Sequence, residues 1–111
     1  MGIQDWSENC LLVNIAPEPD MADELKTVTE IIRKRDKCSV VIDFSEAELV
    51  TSSSLAQLLR LQKVLDDHNQ SLVLCGAGPR TKGIFEVTGL DKVFEFVEDK
   101  FTALAGVQIT K

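Results

Sequence analysis

The sequence predicts an α/β fold in which about four helices cover a four- to five-stranded sheet, mostly parallel or mixed. Short apolar, β-branched runs of strand length alternate with longer stretches whose apolar residues recur at helical spacing. The links between them are short, and such regular alternation builds sheets covered by helices. A chain of 111 residues that is 44% hydrophobic has room for one core, so a single domain is expected over residues 1–111.

Cys10-Leu11-Leu12-Val13-Asn14-Ile15 reads as a strand, stopped by Pro17 and Pro19 and paired with residues 3–6 across the Ser7-Glu8-Asn9 turn. Over residues 20–35, Met21, Leu25, Val28, Ile31 and Ile32 mark a helix. Asp20 suits its N-cap, and Arg33-Lys34-Arg35 suits its negative end. Ser39-Val40-Val41-Ile42-Asp43-Phe44 is a nearly continuous apolar run, the pattern of a strand covered on both faces. A second helix carries Leu55, Leu58, Leu59, Leu61 and Leu65, and His68-Asn69-Gln70 closes it. Ser71-Leu72-Val73-Leu74-Cys75 is another buried strand. Gly76-Ala77-Gly78-Pro79 then turns into a third helix, with Pro79 at its first position and Gly89 as its stop. Residues 92–97 are expected to add a last strand, and residues 98–105 a final helix.

Several function classes fall away on composition. A formal charge of −6 argues against a binder of nucleic-acid backbones, which needs basic patches. No run approaches the roughly 20 apolar residues of a membrane span. The stretch from Met1 to Trp6 lacks the pattern of a signal peptide, and Ser7 stands one place too late for myristoylation. The three cysteines, Cys10, Cys38 and Cys75, are widely spaced in or beside apolar segments, as in a reducing compartment. The cytoplasm is therefore expected, with no metal and no cofactor.

Catalysis finds little to work with. The one histidine, His68, falls at the polar end of a helix, where it reads as a C-terminal residue rather than a general base. Asp66-Asp67 and Glu95, Glu98 and Asp99 read as solvated faces. Gly76-Ala77-Gly78-Pro79-Arg80-Thr81 begins like a dinucleotide-binding turn, but Thr81 stands where the third glycine belongs. A proline-started helix accounts for it, and with Arg80 and Lys82 nearby it is at most a place for an anion. No enzyme is expected.

Thr51-Ser52-Ser53-Ser54, just before the leucine-rich helix, is the most informative stretch. One hydroxyl suffices to cap the free amides of a first turn. Four in a row also offer a phosphoacceptor, since a phosphate adds nearly two negative charges where the helix dipole favours them.

Val40-Val41-Ile42-Asp43-Phe44-Ser45, followed after a gap by Ser52-Ser53-Ser54-Leu55-Ala56-Gln57-Leu58-Leu59, resembles the core of the STAS domain family, anti-sigma factor antagonist type. The later Pro79, Ile84-Phe85 and Thr88-Gly89-Leu90 extend the resemblance, which runs from about Cys10 to Val97. In that family a kinase-type anti-sigma factor phosphorylates a serine of a D-S-S/T-G segment, and the unphosphorylated antagonist binds the anti-sigma factor. By position the resemblance implies Ser53 as phosphoacceptor, with Ser52 as the alternative. Asp20, Thr51, Ser52, Ser53 and Ser54 are implied to form the partner-binding surface, with an anti-sigma factor that is a serine kinase as partner. Thr51 replaces the motif's aspartate and Ser54 its glycine. A non-phosphorylated scaffold subunit of an ABC transporter or other signalling complex is the alternative.

Overall fold

The structure is a computed structural model that describes residues 2–110; Met1, where the leader reading starts, and Lys111 lie outside them. β1 (Gly2–Ser7) and β2 (Cys10–Asn14) form an antiparallel hairpin across the expected turn. β3 (Ser39–Asp43), β4 (Leu72–Cys75) and β5 (Glu95–Val97) then join in parallel, giving a five-stranded sheet in the order β1-β2-β3-β4-β5. This is the mixed sheet the alternation predicts.

Strand order dictates where the helices go. α1 (Met21–Arg33), α2 (Ser52–Asp67) and α3 (Pro79–Val87) connect successive parallel strands that always advance toward the same edge. Right-handed crossovers in one direction place all three on the same face. Met21, Leu25, Val28 and Ile32 of α1, Leu58, Leu61 and Leu65 of α2 and Phe85 of α3 accordingly share one core with Leu11, Val13, Val40, Ile42, Leu72 and Leu74. Phe85 meets Phe44, Phe94 and Phe96 edge-on, with ring centroids 6.4, 5.6 and 5.0 Å away.

α4 (Lys100–Thr110) covers the opposite face, setting Ala103, Leu104 and Val107 against Cys10, Leu12, Val41, Val73 and Cys75. With helices on both sides, every residue of β3 is buried, as its unbroken apolar run predicts.

Some boundaries move for local reasons. The last strand starts at Glu95 rather than Lys92, because Gly89 at φ 78 leads into a short 3₁₀ turn over Leu90–Lys92. The final helix starts at Lys100 because Asp99 Oδ1 accepts the Thr102 N–H at 2.8 Å and acts as its cap. Asp20 takes the N-cap position of α1, but its side chain makes no capping hydrogen bond; its carbonyl accepts the Glu24 N–H at 3.1 Å.

The turn after β4 requires glycine. Gly76 has φ +69, and a Cβ there would run into Asp43 Oδ1 and lie 3.2 Å from Ser45 N. Asp43 Oδ1 accepts the Ser45 N–H at 2.9 Å, so this carboxylate shapes the exit from β3 while Gly76 leaves it space.

Candidate functional site

Two loops meet at the start of α2. The one entering α2, residues 44–51, is pinned at its root by the Phe44 N–H donating to Cys75 O at 2.8 Å. Thr81, fully buried on α3, donates its hydroxyl toward Ala47 O (3.3 Å) and Glu48 O (3.1 Å), which ties the middle of this loop down. The loop between β2 and α1 is fixed by Ile15 N–H to Asp43 O at 3.1 Å and by Ala16 N–H to Glu24 Oε1 at 2.7 Å. Between those anchors and α1 it presents Glu18 to the serine run.

The four hydroxyl residues turn out to be unlike one another. Thr51 is the N-cap, extended at φ −82 and ψ 168, and its Oγ1 accepts the Ser54 N–H at 3.3 Å. Ser54, in the first turn, is 0% exposed and donates its hydroxyl to Glu18 Oε2 at 2.6 Å. The same carboxylate oxygen accepts the Thr51 N–H at 2.8 Å. Ser52 and Ser53 lie between these tied residues and are exposed, with first-turn N–H groups that have no partner within the helix.

This arrangement is a capping box completed through space. In the local form, a Glu or Gln three residues after the cap reaches back to the cap's N–H. Here that position holds Ser54, so Glu18 supplies the carboxylate from another loop, 33 residues before Thr51. No acidic residue stands in the first turn of α2, and Glu18 also places negative charge at the positive end of its dipole.

Of the residues expected to form the surface, the structure brings Thr51, Ser52, Ser53 and Ser54 to one helix start. Asp20 is exposed two residues beyond Glu18, and Glu18 rather than Asp20 is the acid bonded to the run. Glu18 escaped the sequence reading as a contact. Its signal was indirect: a Thr-x-x-Ser cap lacks the local carboxylate, and Glu18 is the acid held between Pro17 and Pro19.

His68 is at the far end of the 16-residue α2, about 24 Å from the serines at 1.5 Å per residue. Burial pushes the Cys10 thiol up to about 11 and the Cys75 thiol up to about 12, which keeps both protonated near neutral pH. Among the described residues no cluster of three or more His, Cys, Asp or Glu is placed to hold a metal ion, and no helix is long and apolar enough to cross a membrane.

A family model described as "Mlab, STAS domain" matches residues 4–98. The chain belongs to the STAS family. The solved structures agree on the fold. A candidate anti-sigma factor antagonist from Thermotoga maritima superposes with a TM-score of 0.81 at 14% identity, over 96% of this chain and 93% of that one. A sulfate transporter family protein from Wolinella succinogenes gives 0.74 at 17% identity, over 91% and 84%. The anti-sigma factor antagonist SpoIIAA in its unphosphorylated form gives 0.74 at 9% identity, over 95% and 94%. At these identities the STAS fold is what the structures share. The family match also bears out the resemblance read from the Asp43-Phe44-Ser45 and serine-run segments.

Proposed function

We propose that this STAS domain is a regulatory module that docks a protein partner through the start of α2 and is switched by phosphorylation of Ser53, with Ser52 as the alternative acceptor. One observation carries the reading: Ser52 and Ser53 are exposed, whereas the flanking Thr51 and Ser54 are fastened to Glu18. A phosphate on Ser53 therefore alters the presented surface without breaking the bonds that hold the helix start. Unmodified, Ser52, Ser53 and Asp20 on the adjoining loop face the partner; the phosphate places charge in a contact that has to be desolvated. The partner is an anti-sigma factor with serine kinase activity, and the module acts in the cytoplasm by binding rather than by catalysis. Similarity to an antagonist named in its unphosphorylated form supports this reading. Intact-mass measurement after incubation with the cognate kinase and ATP tests it. One added phosphoryl group, lost in Ser53→Ala, is expected; no gain, or a gain that survives both Ser53→Ala and Ser52→Ala, overturns it.

A second reading rests on the Glu18 bonds themselves. They make the helix start a finished cap, which suits a scaffold subunit held permanently in an ABC transporter or other complex. Similarity to a sulfate transporter family protein supports it. If Ser53→Asp leaves partner affinity unchanged in a pull-down, the scaffold reading stands and the switch fails.

A further inference from the structure

We infer that the outer face of α1 and α2 is a second docking surface, built for an acidic, amphipathic helix of a partner protein. The two helices lie side by side, and their solvent-facing surfaces carry two adjoining shallow, open depressions of about 590 and 240 Å³. Arg33 and Arg60 line both, so the hollows form one continuous groove.

The charge of this groove runs against the rest of the chain. The protein carries a net −6, yet the groove is lined by Lys26, Arg33, Arg60 and Lys63 against only Glu30 and Asp67. Asp67 is already engaged, 3.1 Å from Lys63. Among the described residues, Lys26, Arg33 and Arg60 have no ion-pair partner. Four cations against two carboxylates leave a surplus of two positive charges shared by the two helices, an attractive field for carboxylates.

The groove also has an apolar component. Leu59 is 40% exposed and lies with Ala56 and Val64 beside the arginines. Leu59, the exposed Ala56 and the half-buried Val64 together offer a small apolar strip to a side chain from outside. Gln57 Oε1 and His68 Nδ1, one in each hollow, are buried and have no hydrogen-bond partner among the described residues.

These features select the occupant. An apolar stripe flanked by cations fits a helix laid in a groove, with its own apolar stripe inward and carboxylates at its rim. A nucleic acid also carries negative charge, but the surrounding −6 chain repels a long phosphate backbone, and no Phe, Tyr or Trp lines the groove to offer successive bases a stacking platform. The groove starts about a turn below Ser53 on α2 and does not depend on what Ser53 does.

Photo-crosslinking in the host cell tests this with the full chain. A benzoylphenylalanine replaces Leu59 in one variant and, as a control on a different helix, the exposed Val87 in another. The expected result is a protein adduct specific to position 59, whose cross-linked peptide is acidic and helical in pattern. Its yield should fall about tenfold or more in the Arg33→Glu/Arg60→Glu background, since a close charge pair across an interface is worth at least about 1.4 kcal/mol. If the double variant does not fold, Arg60→Gln alone should show a loss in the same direction. Retention of the adduct in Ser53→Asp separates this surface from the proposed switch. Equal labelling at positions 59 and 87, a basic cross-linked peptide, a nucleic-acid adduct or a second copy of this chain as the adduct each overturns the inference.

Discussion

Glu18 and Ser54 are 36 residues apart in the chain, and the Ser54 hydroxyl reaches the Glu18 carboxylate at 2.6 Å. The serine is wholly buried and the acid half-buried, so neither group has water as an easy substitute. Hydrogen bonds to a charged group contribute about 1.5–3 kcal/mol, so Glu18→Ala and Ser54→Ala should each destabilise the fold by about 1–3 kcal/mol. Because they share one bond, the double variant should cost clearly less than the sum. Urea unfolding of the four proteins in a cycle measures this; strict additivity would remove the bond from the account.

Thr51→Asp restores the aspartate of the family motif, and on propensity alone it is a sound cap. Here it adds a second carboxylate beside Glu18. The expected outcome is a loss of about 1 kcal/mol from like-charge repulsion, relieved when Glu18 is changed to Gln. Thermal melts of Thr51→Asp with and without Glu18→Gln decide it.

Gly76→Ala meets two obstacles at once: a left-handed backbone and the Asp43 carboxylate in the space its methyl group needs. The conformation costs about 1–2 kcal/mol and displacing the bond from Ser45 to Asp43 about another, so a loss of about 2–3 kcal/mol is expected. Gly83, whose added Cβ meets nothing within 4 Å, is the control: in α3, Gly83→Ala should be neutral or stabilising.

Asp99 makes the start of α4 sensitive to acid. The Thr102 backbone N–H that it accepts holds its carboxyl below the ordinary 3.8. A lowered folded pKa means a contribution present above that ordinary value and lost as the pH falls through the lower, folded one. Stability should therefore decline as the pH falls below 3.8, and Asp99→Asn should flatten that part of the curve. Circular dichroism melts across that range, comparing the two proteins, give the answer.

The elements were legible because each rests on local signals. The unbroken Val40-Val41-Ile42 run, Pro79 at a helix start and Gly89 at φ 78 each sit where their chemistry places them. The serine run was legible only as a place. Which of its hydroxyls is buried depends on Glu18, brought near by the sheet rather than by sequence spacing. Equally, the basic groove draws on residues of two helices that only the strand order sets side by side. The last strand begins three residues later than the residue pattern predicts, because the 3₁₀ turn after Gly89 carries the same polar-apolar mixture as a strand edge.

The unpermuted strand order has a consequence for how the chain comes into being. Each strand pairs with the one made just before it, so a nascent chain extends its sheet at a single growing edge and never has to reopen a pairing to admit a latecomer. The first face gains its helices as the crossovers are synthesised. The second waits for α4, and until that helix arrives Val41 and Val73 are open to water, which makes the interval before α4 emerges the vulnerable moment of biosynthesis.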